Sequence, residues 1–277
     1  MIENSASVVL CTYNRAHLLK NSLVTYSKQT NRDFELIILD DGSEDDTESL
    51  VRSFSCDINI RYERLTDKKP GEWRDAGAII NRGIIMSKGE FVYITHPEVM
   101  ICFECIENAN RALRENRDAY FNARVYYMTP QLQIGLENID WQSDFYLVRD
   151  IENFYNDSVS GDAFLGATGN QYYTPKIAET IDCWESWVFG GMTRKAWKKF
   201  GGLNESPHWG TVDYDFQQRR RMNKWKTISP LDIYVIHQNH EVKVGKFEPT
   251  RRNRDSMLAD ALEKYGKKRN FLKDMEI

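Results

Sequence analysis

No stretch of this 277-residue chain is apolar for long enough to span a bilayer as a helix, which takes about 20 such residues. Nor does Met1-Ile-Glu-Asn-Ser5 carry the basic-then-apolar pattern of a targeting segment. Cysteine is sparse and scattered: five residues, of which Cys102 and Cys105 stand at CxxC spacing without the second pair that a zinc site needs. A disulfide scaffold is therefore not expected, and reduced, mostly buried thiols in an intracellular protein are. Net positive charge is missing too. The balance of −4 argues against a dedicated nucleic-acid binder. The segment from Lys243 onward is nevertheless basic, with ten Lys and Arg against six Asp and Glu. A solvated helix surface explains such a tail more simply than an acidic polymer or membrane does, although peripheral membrane contact stays open. Repeats and low-complexity linkers are absent as well.

What remains is 41% hydrophobic and 12% aromatic, enough for a sizeable core in one large domain or a domain with an appendage. Two apolar runs are the most informative feature. Ser7-Val-Val-Leu-Cys-Thr-Tyr-Asn-Arg15 ends abruptly in polar residues, and Phe34-Glu-Leu-Ile-Ile-Leu-Asp-Asp-Gly-Ser43 ends in two carboxylates, glycine and serine. Runs of this length, rich in Val, Ile and Leu, read as strands buried on both faces of a parallel sheet. His17 to Lys28 has room for the crossover helix that parallel neighbours require. Ligands of open α/β sheets bind outside the carboxyl ends of the strands, so Thr12-Tyr-Asn-Arg15 and Asp40-Asp-Gly-Ser43 are expected to share a crevice.

Further along, Asn59 to Glu63 alternates as a third strand. Ala76, Ile79, Ile80, Gly83 and Ile84 then form a helical stripe, with Asp75 placed as its N-cap and Lys88-Gly89 as its end. Glu90–Thr95 reads as a strand and Phe103–Glu115 as a helix. Regularity weakens between Ala119 and Asp182 and returns at Trp187–Met192, followed by helices at Arg194–Phe200 and about Asp213–Asn223. Ile233–His237 reads as a last strand and Arg251–Tyr265 as a terminal helix stopped by Gly266. The βαβαβαβ order makes the first hundred or so residues Rossmann-like.

The motifs carry a resemblance. Val8-Val-Leu-Cys-Thr-Tyr-Asn-Arg15, Asp40-Asp-Gly-Ser-Glu-Asp-Asp-Thr47, Asn81-Arg-Gly83 with the strand after it, Gly201-Gly-Leu-Asn-Glu205 and Trp209-Gly-Thr-Val-Asp-Tyr-Asp215 fall in one order over about Ser7 to Lys226. Together they resemble family 2 glycosyltransferases of the GT-A fold. The resemblance implies an α/β fold with a Rossmann-like, mainly parallel mixed sheet flanked by helices and a C-terminal helical extension. It implies a GT-A domain over 1–230, with a nucleotide-binding half to about 118 and an acceptor-side half from 119 to 230. Residues 231–277 would be the strand and basic extension.

By the same resemblance Thr12, Tyr13, Asn14, Arg15, Asp40 and Asp41 hold the donor nucleotide, with UDP the first expectation. For the acidic pair the competing reading is an ordinary turn. Arg74, on a Pro-Gly loop, would brace the diphosphate, or belong to an exposed basic turn. At the family's Asp-x-Asp metal motif this chain has His96-Pro-Glu98. Glu98 keeps an oxygen ligand, and an imidazole at His96 suits Mn²⁺ better than Mg²⁺. His237 is the expected late ligand, with His240 its competitor. Asp213 matches the catalytic carboxylate, although Val212 replaces the Glu before it, and its structural alternative is a helix N-cap. Trp184 and Glu185 are candidate acceptor contacts, with buried packing the alternative for the tryptophan.

The expected function is a hexosyl or N-acetylhexosaminyl transferase, inverting, with Asp213 as general base. The acceptor would be a glycan, a lipid-linked glycan or a protein, and the location cytoplasmic. A non-catalytic nucleotide-sugar or glycan binder is one alternative. A nucleotidyltransferase on a related fold is the other, disfavoured because Thr12-Tyr-Asn-Arg15 lacks a Gly-rich, Lys/Arg-bearing signature.

Overall fold

The computed structural model describes residues 5–65, 76–128, 130–138, 140–143, 188–205, 211–230, 232–240 and 272–276. The two apolar runs form the centre of the molecule. β1 (Ala6–Thr12) and β2 (Phe34–Asp40) pair in parallel, and β1 pairs in parallel on its other side with β4 (Phe91–Thr95). β3 (Ile60–Arg64) extends the sheet beyond β2, one residue later than the alternation predicts. On the far side of β4 lies β8 (Phe189–Thr193), the one antiparallel strand, followed by β6 (Tyr120–Asn122) and β9 (Thr227–Ile228). The order β3-β2-β1-β4-β8-β6-β9 is the mixed, mainly parallel sheet expected from the sequence.

Both faces of that sheet are covered, which is why its central strands are apolar throughout. Val8, Leu10, Leu36 and Ile38 pack into one core with α1 (Ala16–Ser27) and α4 (Cys105–Glu115). Val9, Ile37 and Leu39, one residue out of phase, pack into the other core with α3 (Ala76–Met86), α6 (Arg194–Phe200) and α7 (Thr211–Met222). Leu272 and Met275 near the C-terminus are buried in this second core. A short α2 (Thr47–Ser53) bridges β2 and β3, and α5 (Pro130–Gly135) follows β7 (Arg124–Tyr127) in the chain. The α6 boundaries coincide with the sequence expectation. Thr193 caps its N-terminus by accepting from the Ala196 N–H, and Gly201 ends it at φ 90°.

A second, three-stranded sheet joins the expected last strand to two short segments that carry no periodicity. β10 (Tyr234–His237) lies between β5 (Val99–Ile101), to which it is antiparallel, and β7 (Arg124–Tyr127), to which it is parallel. Its consequence is positional. Val99 pairs with His237, so the chain just after β4 meets the end of β10. Among the described residues, no helix is long and apolar enough to cross a membrane. The expected terminal helix at 251–265 lies outside the described residues.

Candidate active site

β1, β2 and β4 run parallel and adjacent, so their carboxyl ends deliver Thr12–Arg15, Asp40–Ser43 and His96–Glu98 to one edge of the sheet. The first two loops are tied directly together. Asn14 sits at φ 51°, a left-handed conformation that Asn tolerates better than most residues. Its N–H donates to Ser43 Oγ at 2.9 Å, and its Oδ1 accepts from the Glu44 N–H at 2.8 Å. Asp41 N–H donates to the Thr12 carbonyl at 2.8 Å. Asp45 closes the arrangement by accepting from the Ala16 N–H at 2.9 Å and from Thr47. Burial acts to raise the Asp45 carboxyl, but the Thr47 hydroxyl and the N–H groups of Ala16 and Thr47 outweigh it and hold the group below its usual range.

The two carboxylates expected to bind nucleotide differ in surroundings. Asp40 is fully buried; its Oδ1 accepts from the Ser43 N–H at 2.7 Å and its Oδ2 from the Tyr62 hydroxyl at 2.6 Å. Burial followed by that bond to Asp40 pushes the Tyr62 phenol above its usual range. Asp40 thus holds the turn, and Gly42 at φ 84° completes it. Asp41 follows at the rim of the same turn. Tyr13 is 46% exposed beside it in sequence-adjacent position to Thr12, and Arg15 stands at the N-cap of α1.

An electrostatic feature beside these loops is centred on Glu98. His96 Nδ1, His237 Nε2 and His240 Nε2 lie 3.6, 3.5 and 3.4 Å from its Oε1. Burial acts to raise the Glu98 carboxyl, yet the three imidazoles prevail and hold it well below the usual carboxylate range. The contacts are longer than charge-assisted hydrogen bonds of about 2.7–2.9 Å. They match the roughly 3.4 Å separation of neighbouring ligand atoms around a metal with bonds of about 2.1 Å in tetrahedral array. Ligand atoms of Glu98, His237 and His240 all lie within 4.8 Å of one another. A mixed imidazole–carboxylate set suits a transition-metal dication better than Mg²⁺. The residues present therefore fit a divalent cation. His240, the competitor to His237 in the sequence, stands with it rather than instead of it. By contrast Cys102 and Cys105 are buried away in the first core and supply no such set.

Asp213 falls in the first turn of α7 and is not its N-cap residue, because the helix starts at Thr211, two residues before the predicted start. Its side chain lies outside the described set, as do Arg74, Trp184 and Glu185. Val212, where the family has Glu, is 3% exposed and packs in the second core, which accounts for its apolar character. Asp215 faces elsewhere, as helical spacing requires. It accepts from Arg219 Nε at 2.7 Å, and Arg219 in turn donates to the carbonyls of Phe200 and Gly202. Asn81, quoted in the sequence only as part of a motif, grips the same loop from α3. Its Nδ2 donates to Leu203 O at 2.8 Å and Glu205 Oε1 at 2.9 Å, and its Oδ1 accepts from the Leu203 N–H at 2.8 Å.

A mixed, mainly parallel sheet covered by helices on both faces, with its loops gathered at the carboxyl edge, defines an α/β protein of the GT-A type. The model of Glycosyl transferase family 2 matches residues 7–166, more than half of the chain, and the chain belongs to that family. Over 58 residues it is 48% identical to validoxylamine A glucosyltransferase from Streptomyces hygroscopicus subsp. jinggangensis, and over 68 residues 41% identical to chondroitin synthase from Escherichia coli. These matches cover 20% and 24% of this chain but only 14% and 10% of the relatives, so the chain spans a small part of either. In fold it is similar to S. aureus TarS in complex with UDP-GlcNAc, with a TM-score of 0.60 at 17% identity over 85% of this chain and 59% of that one. It is also similar to the mannosyltransferase PcManGT from Pyrobaculum calidifontis in complex with GDP-Man and Mn²⁺, with a TM-score of 0.55 at 18% identity over 84% and 56%.

Proposed function

We propose that this chain transfers a sugar from a nucleotide-diphosphate donor to an acceptor hydroxyl, with inversion at the anomeric carbon. The observation that carries the reading is the meeting of the Thr12–Asn14/Asp41 loops with the Glu98–His237–His240 cluster at one sheet edge. The loops receive the nucleoside, for which UDP is the first choice: Asp41 accepts from the imide N–H of the base or from ribose hydroxyls, and Tyr13 offers an exposed ring to the base. Glu98, His237 and His240, with His96 beside them, hold the cation, and Mn²⁺ is favoured over Mg²⁺ by the imidazoles. When bound, that ion offsets the negative charge that builds on the departing diphosphate.

Asp213 takes the proton of the acceptor hydroxyl as its oxygen bonds to the anomeric carbon. The bond from that carbon to the diphosphate oxygen breaks on the opposite face, and its electron pair leaves with the nucleotide. The position of Asp213 in the first turn of α7 supports this role, because the positive helix end favours the ionised carboxylate and hence a base. Acceptor choice is assigned to residues 119–230, including Trp184 and Glu185, and diphosphate bracing to Arg74.

The test is release of UDP from UDP-sugars in the presence of Mn²⁺, with the Asp213→Asn variant as control. The enzyme releases UDP slowly without acceptor and faster with it. Asp213→Asn lowers acceptor-dependent turnover by roughly 10²–10⁴-fold while nucleotide binding persists. Near-wild-type turnover of that variant refutes the base assignment. Nucleotide-sugar binding with no release under any condition favours the non-catalytic binder instead.

A further inference from the structure

We propose that Gln238 is the positioning residue of the cation centre, locking the Glu98 strand end against the His237–His240 segment, with Asn21 of α1 fixing its amide. This rests on the reading of Glu98, His237 and His240 as cation ligands. Gln238 is fully buried, and both its backbone groups and both ends of its side-chain amide are hydrogen-bonded. Its N–H donates to the Glu98 carbonyl at 3.1 Å. Its Nε2 donates to the same carbonyl at 3.1 Å and to the Leu18 carbonyl of α1 at 2.9 Å. Its Oε1 accepts from Asn21 Nδ2 at 2.7 Å, and its own carbonyl faces His237 Nδ1 at 3.0 Å.

The orientation of the amide follows from this pattern, since only the NH₂ group donates to two carbonyls and only the oxygen accepts from Asn21. The β5–β10 ladder ends at the pair Val99–His237, where the ligands begin. Gln238 carries the pairing one residue further and then ties it to α1. With His237 Nδ1–H donating to the Gln238 carbonyl, Nε2 is the nitrogen that faces Glu98 Oε1, and in the neutral ring it carries the lone pair an imidazole needs to bind a metal. An apolar side chain would fill the same space beside α1 without fixing either ligand backbone. Five hydrogen bonds converging there select for register instead.

The experiment is calorimetric titration of Mn²⁺ into the wild-type chain, Gln238→Met and Asn21→Ala, at a temperature where circular dichroism shows each to be folded. The Mn²⁺-induced rise in Tm is a second readout. Gln238→Met keeps the volume and all ligands, and its Mn²⁺ affinity falls about 10–100-fold, the range for groups that orient metal ligands. Asn21→Ala weakens Mn²⁺ in the same direction and by less, and decides the matter alone if Gln238→Met does not fold. A merely structural Gln238 lowers Tm without Mn²⁺ but leaves the affinity of the folded variants at the wild-type value, which overturns the inference. Wild-type protein that binds no Mn²⁺ overturns the cation centre itself, a result distinct from normal binding with indifferent variants.

Discussion

Asn81 joins two parts of the site through one amide, and its truncation to alanine has a consequence that can be worked out. The side chain is 1% exposed and makes three hydrogen bonds, to both backbone groups of Leu203 and to Glu205. Truncation leaves the Leu203 N–H and C=O inside the second core without that partner. Each buried backbone group so stranded costs about 1–3 kcal/mol, so the loss for the pair is about 3 kcal/mol. For a chain of this length that lowers Tm by about 6–12 °C. The loop affected, Gly201–Glu205, leads toward α7 and Asp213. Acceptor-dependent turnover at a temperature where the variant is folded therefore falls more than nucleotide affinity does. Urea unfolding gives the stability change, and paired measurements of turnover and UDP affinity give the split. A loss below about 0.5 kcal/mol, the range of an ordinary surface substitution, refutes the clamp. Equal losses of turnover and UDP affinity refute its directional effect on the acceptor side.

Gly83 lies where α3 crosses β1, and a Cβ there would meet Val9 Cγ1 at 2.2 Å. Gly83→Ala therefore costs about 1–3 kcal/mol by overpacking, measured as a shift in urea midpoint; unchanged stability contradicts the close approach. Asp45 has a folded-state pKa depressed below its ordinary value, so its contribution is present above the unfolded value of about 3.9 and is lost as pH falls through the lower folded value. The stability gap between wild type and Asp45→Asn is therefore widest near neutral pH and closes in acid. A gap independent of pH removes the carboxylate from the account. Glu98→Gln abolishes stimulation of turnover by Mn²⁺ and the Mn²⁺-dependent rise in Tm, and a variant that still responds to Mn²⁺ excludes Glu98 as a ligand.

Strands buried on both faces and helices with a long stripe were legible because burial imposes a pattern on their residues. β1 and β2 lie between two cores, hence their unbroken apolar runs. Gly83 and Asn81 were visible as a motif, while their reasons, contact with Val9 and a grip on Leu203, depend on tertiary packing. α2 was hidden because Asp45-Asp46-Thr47 reads as the continuation of a turn, and the seven-residue helix that follows has too few turns to show a period. β5, β6 and β9, of three, three and two residues, are below any periodic signal.

Which histidines meet Glu98 was undecidable for a related reason. Side chains alternate along a strand, so His237 and His240, three apart, would face opposite ways if β10 continued through both. β10 stops at His237, and both Nε2 atoms then come within 3.4–3.5 Å of one carboxylate oxygen. The stop is not written in local propensity. Next to that stop, Gln238 carries the pairing to Glu98 one residue further and bonds to Leu18 and Asn21 of α1, contacts that local propensity does not encode. A choice between the two histidines was framed from the sequence, and that frame assumed a strand end that only contacts across some 140 residues determine.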